Sequence, residues 1–193
     1  MLSRDVMDMA RRRGLPEDEL LNIYQKIRVE MGKYRKYDID EAIECFIRKH
    51  ILCMEYNPVT CRRNRLVREI YRNYIGLVSK YRVRDCNYLR FSGMVRYYYK
   101  LAYQTLSELG YLEKNGDDWL SEDLVRWIYA KAKHIDPVGV SAFLIYERVD
   151  GLPVRRVANI LVSRKVFKGY DSESIVSLIY RLKLLFNSEE VSI

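Results

Sequence analysis

"LPEDELLNIYQK", Leu15–Lys26, is almost repeated as "LSEDLVRWIYAK", Leu120–Lys131. In the first copy Leu20, Ile23, Tyr24 and Ile27 fall at i, i+3, i+4 and i+7, one face of an α-helix; Val125, Ile128, Tyr129 and Ala132 do the same in the second. Both starts are punctuated. Gly14 ends a short helix after Arg11–Arg13, and Pro16 suits a first helical position. Ser121 can cap the second copy, with Glu122 and Asp123 beside the positive end of the helix.

The likeness continues downstream. "EAIECFIRKHILCMEYNPVT" and "PVGVSAFLIYERVDGLPVR" align so that Ala42, Ile43, Cys45, Phe46 and Ile47 meet Gly139, Val140, Ala142, Phe143 and Leu144. Both are apolar and rich in small residues, the composition of a helix surrounded by others, and each precedes a proline, Pro58 or Pro153. Each copy then closes on an "IYR" helix, "RLVREIYRNYIGLVSKY" and "SESIVSLIYRLKLLF". Three matched helices in one order predict a duplicated helical module. Between the copies, Asn87–Tyr111 reads as a further helix, interrupted or kinked near Ser92-Gly93 and stopped by Gly110. "PVRRVANILV" reads as a short helix before a loop. The fold expected is all-α.

Composition narrows the function classes. Apolar residues make up 49% and charged residues 31% of the 193, which fits a globular chain without a membrane span. The opening "MLSRDVMDMARRRG" lacks the apolar core of a signal peptide, so a cytoplasmic, nucleoid-associated protein is expected. Cys45, Cys53, Cys61 and Cys86 form no CxxC pair, and His50 and His134 stand far from ligand spacing; neither a metal site nor a cofactor is expected. The cysteines read as four reduced, partly buried thiols, with a disulfide left open for an oxidising or hot environment. No glycine-rich phosphate cradle or nucleophile motif supports an enzyme.

Charge is distributed unevenly. Residues 1–100 carry 22 basic and 13 acidic side chains, whereas residues 101–193 carry 12 and 13. Within positions 58–100 the balance is 11 to 2. An excess confined to one segment points to a polyanion. Drawn as one helix over Arg62–Lys80, this segment gathers Leu66, Val67, Ile70, Tyr71, Tyr74, Leu77 and Val78 in an arc of about 140°. Arg65, Arg68 and Arg72 lie opposite, flanked by Arg62 and Lys80. Arg82 and Arg84 follow, and then Arg90, Arg96 and Lys100 among Tyr97, Tyr98 and Tyr99. Such a stripe can neutralise phosphates. In the second copy the basic residues are Arg155, Arg156, Arg164, Lys165 and Lys168, before a last helix that exposes Ser174, Ser177 and Arg181.

Helical modules in this order resemble the two cyclin-like repeats of the archaeal and eukaryotic transcription factor B family. The motifs that carry the likeness are "LSEDLVRWIYAKAK", Asp136-Pro137-Val138-Gly139 with the small-residue helix after it, and Ile175-Val176 followed by Tyr180. The resemblance implies two tandem five-helix repeats, at residues 1–84 and 85–193, the first abbreviated in its fourth helix and the second ending in a helix-turn-helix-like pair. Pro58 stands 12 positions before Ile70, whereas Pro153 stands 26 before Ile179. It further implies a DNA-binding transcription regulator with double-stranded DNA as partner, and a TATA-binding protein or RNA polymerase as possible protein partners. The zinc ribbon of that family has no counterpart here, and the family's DNA-reading arginine corresponds to Ser177. The competing expectation is a cyclin-type adaptor that binds protein and not DNA.

Overall fold

A computed structural model describes residues 1–54, 61, 65–114 and 119–187. The fold is all-α, with no strand among the described residues. The chain divides into two compact units, Met1–Arg90 and residues 91–193. The first contains α1 (Arg4–Arg12), α2 (Glu17–Glu30), α3 (Lys36–Phe46) with a π-helical turn at Ile47–Ile51, α4 (Arg65–Asn73) and α5 (Ile75–Tyr81). The division falls inside α6 (Cys86–Glu108). The second unit continues with α7 (Glu122–Ala132), α8 (Pro137–Arg148), α9 (Val154–Ser163) and α10 (Ser172–Phe186).

In the first unit the predicted face of α2 (Leu20, Ile23, Tyr24, Ile27) is buried against α3, and α3 packs most extensively on α4. Ile39, Ala42, Ile43 and Phe46 carry this core, which Val67 and Ile70 complete from α4. In the second unit all eight residues Val138–Ile145 of α8 are buried, and α10 packs along α8 and along α9. The five residue pairs aligned between α3 and its continuation and α8 are buried in both units. Gly139 shows why small residues recur there. A Cβ at this position would lie 2.9 Å from the Leu178 side chain, so α8 and α10 approach as closely as glycine permits.

Local chemistry sets the helix ends. Gly14 (φ +75) and Gly110 (φ +84) occupy left-handed positions past α1 and α6. There Leu15 N–H bonds Ala10 O and Tyr111 N–H bonds Leu106 O, both at 2.9 Å, the Schellman closure. The Ser121 hydroxyl accepts from Leu124 N–H (3.2 Å), and Asp136 accepts from Val138 N–H (2.9 Å) at the start of α8.

Three expectations are corrected. Arg62–Lys80 is not one helix: the described part breaks at Tyr74 (φ −123), whose hydroxyl is held 2.7 Å from Glu30 on α2. Of the seven residues expected to be buried, Val67, Ile70, Tyr74 and Val78 are buried, and Leu66, Tyr71 and Leu77 are partly buried against the same core. The helix through Ser92-Gly93 runs without interruption, with Arg96 Nε on the Ser92 hydroxyl (3.2 Å). The cysteines are not reduced thiols. Cys45 is bonded to Cys61 and Cys53 to Cys86, across Cα separations of 5.4 and 5.5 Å, which suit a disulfide. The abbreviated helix expected between Pro58 and Ile70 falls largely outside the described residues.

Candidate nucleic-acid interface

The arginines of α4 are presented by the packing beneath them. Val67 and Ile70 anchor the helix in the core, which turns Arg65, Arg68 and Arg72 into solvent. Glu69 is the one acidic residue of α4, and it faces elsewhere. Both its oxygens accept from the Tyr34 hydroxyl at 2.7 Å, and Lys33 Nζ lies 3.9 Å away. Among the described residues none pairs as a carboxylate with Arg65, Arg68 or Arg72. Arg62 lies outside the described residues.

The break at Tyr74 takes Lys80 off this ridge and delivers it elsewhere. Lys80, Arg82 and Arg84 converge with Arg12 and Arg13, from the end of α1, around a cleft of about 470 Å³. Leu15, Val83 and Leu89 supply apolar lining, and Glu19 is the only acid among the described residues that line it. Lys80 Nζ sits over the Tyr81 ring at 4.9 Å. Arg82 donates to Cys86 Sγ at 3.0 Å, and the Arg13 guanidinium donates to the Leu52 carbonyl. Arg12 and Arg13 carried no functional signal in the sequence, since cations in the last turn of a helix are explained by its dipole.

Beside these cations His50, in the π-helical turn, packs its ring at a tilt against Tyr71 of α4 (centroids 4.4 Å apart) and Phe46 (5.6 Å). Burial, then the positive charges of Lys49, Arg90 and Arg82, lower its pKa to about 4. The ring therefore stays neutral at physiological pH and adds no charge to the surface.

In the second unit the basic residues are not gathered in one place. Arg155 and Arg156 begin α9, whereas Arg164, Lys165 and Lys168 follow its end, about 15 Å further along the helix axis. Arg155 is engaged by Glu173 of α10. Lys165 is left-handed (φ +59) at the position that glycine occupies after α1 and α6, with Val166 N–H bonded to Leu161 O at 3.0 Å. Ser177 and Arg181 are exposed on α10, but the start of that helix is acidic. Asp171 caps it through Ser174 N–H (2.8 Å), and that backbone bond lowers the Asp171 pKa. Of the three adjacent tyrosines, Tyr99 is fully buried and bonded to Arg148 (2.7 Å), whereas Tyr97 is exposed.

Among the described residues no group of three His, Cys, Asp or Glu side chains could hold a metal ion, and no helix is long and apolar enough to cross a membrane. Compared with known proteins, the chain matches no family model, no curated protein and no solved structure.

Proposed function

We propose that this chain is a DNA-binding transcription regulator, built on two cyclin-like helical units as in the core of transcription factor B, and that it grips the duplex backbone through α4. The observation that carries this reading is the Arg65, Arg68 and Arg72 ridge, whose neighbouring acid is turned away to Tyr34 and Lys33. Three guanidinium groups spaced at i, i+3 and i+7 lie along one side of a helix, about 10 Å from first to last, which spans adjacent phosphates. Without a basic recognition helix in the second unit, contact is expected mainly with phosphates and not with base edges.

An electrophoretic mobility shift on a generic duplex tests this. The wild-type protein retards the duplex at low salt and releases it as salt rises, and reversing all three charges (R65E, R68E, R72E) abolishes the shift. Absence of wild-type binding at low salt removes the proposal. A second reading, the protein-binding adaptor, draws on α10, where Tyr180 (52% exposed), Leu184 (76%) and Leu185 (39%) leave apolar surface uncovered. Co-purification of a protein partner that survives high salt would favour it.

A further inference from the structure

The cleft between the α1–α2 turn and the α5–α6 connection is more than a meeting of charges, because its walls are tied to one segment, Ile51–Cys53. On one side the Arg13 guanidinium holds the Leu52 carbonyl. On the other, Val83 N–H donates to Ile51 O at 3.0 Å, and the Cys53–Cys86 disulfide closes the same junction. Both ends of that cross-link lie in unusual backbone: Cys53 has φ +55 and Asp85, next to Cys86, has φ +56. Left-handed conformations in residues other than glycine persist only where their surroundings hold them. Here they set the position of the loop that carries Arg82 and Arg84.

We infer that this cleft is a phosphate site for the nucleic-acid backbone, separate from the α4 ridge, to which Arg12 belongs and which the Cys53–Cys86 bond braces. The inference rests on the DNA-binding reading above. Arg12, Lys80 and Arg84 are exposed and have no carboxylate partner among the described residues, so their charge is available to a ligand. A cleft partly lined by apolar side chains focuses the field of such charges more than a convex ridge does. Arg13 and Arg82 serve as positioning residues, each tying a wall through its guanidinium. The ligand chemistry indicated is a chain of singly charged phosphodiesters. One acid, Glu19, faces the cations of the cleft, and its 470 Å³ exceeds what a single phosphate fills.

The test is fluorescence anisotropy with a labelled duplex of about 20 base pairs, titrated across salt concentrations. The wild-type protein is compared with a cleft variant (Arg12→Ala with Arg84→Ala) and a ridge variant (Arg65→Ala with Arg68→Ala), each checked by circular dichroism for an intact fold. The cleft variant is expected to bind about tenfold more weakly, with a log–log salt slope shallower by about 2, the share of two phosphates. The brace is read by replacing Cys53→Ser with Cys86→Ser, which removes that bond and leaves Cys45–Cys61 in place, with circular dichroism confirming the fold. These two substitutions should weaken DNA binding in the wild-type background but have little further effect in the cleft variant, the signature of coupled sites. A cleft variant with wild-type affinity and slope, beside a weakened ridge variant, overturns the cleft and leaves the DNA reading standing. Equal losses from the two serine substitutions in the wild-type and cleft-variant backgrounds overturn the brace. No binding by the wild-type protein at low salt overturns both.

Discussion

Replacing Gly139 by alanine tests the close approach of α8 and α10. The added Cβ would meet Leu178 Cβ and Cδ1 at 2.9 Å and Cγ at 3.1 Å. Leu178 Cβ is fixed to the backbone of α10, so rotation of the side chain cannot clear the contact, and the two helices must move apart. Overpacking of this kind costs about 1–3 kcal/mol. Against it, alanine in a helix interior is favoured over glycine by about 1 kcal/mol. The net expectation is a loss of about 0–2 kcal/mol for Gly139→Ala, with no gain, and a larger loss for Gly139→Val. Gly76 is the internal control: on α5 a Cβ there meets nothing within 4 Å, so Gly76→Ala is expected to be neutral or stabilising. Urea denaturation followed by far-ultraviolet circular dichroism measures both. If Gly139→Ala gains stability as Gly76→Ala does, α8 and α10 are not in this contact, and the packing of the second unit is refuted.

Two further outcomes follow from the first unit. Reducing its disulfides releases loops of 16 and 33 residues, worth about 3 and 4 kcal/mol in chain entropy, so the urea midpoint should fall strongly with a phosphine reductant. A native mass showing four free thiols, or an unchanged midpoint, refutes the cross-links. His50 is held neutral in the folded chain down to about pH 4, whereas in the unfolded chain it titrates near 6.5. Its contribution is therefore complete above pH 6.5 and is lost as pH falls from 6.5 to about 4, because the unfolded chain takes up the proton first. For a half-buried ring the loss is roughly 1–2 kcal/mol after solvent screening, and His50→Phe, which keeps a ring against Tyr71, should flatten the stability–pH curve in that window.

Much of the helical order was legible because local and tertiary signals agree. Ser121, Gly14 and Gly110 mark helix ends by rules that act within a few residues, and the i, i+3, i+4 face of α2 is buried, as is that of α7 apart from the half-buried Tyr129. The break at Tyr74 left no such mark. Val67, Ile70, Tyr74 and Val78 keep the spacing of a single helix, and at the break Tyr74 makes a long-range bond to Glu30. The disulfides were hidden for a related reason. Cys45 and Cys61, like Cys53 and Cys86, follow no motif, and they meet only once α3, its π-helical turn and the start of α6 are in place.

The same distinction explains why charge counting located a region and not a site. The excess over positions 58–100 adds cations that point in different directions and do different work. Arg90 donates to the Lys49 carbonyl at 3.0 Å. Arg96 is engaged by Ser92, by the Leu120 carbonyl, by Glu122 and by the Trp119 ring, so it holds the start of α7. Neither belongs with the available charge. Arg12, by contrast, lies outside the segment that stood out, yet folding sets it beside Lys80 and Arg84. Affinity for a polyanion depends on how many unpaired cations share one concave surface, a quantity that only the tertiary contacts determine. The arginines most worth mutating are accordingly those whose neighbouring acids face away or are few, on α4 and in the cleft, and not those in the densest basic run.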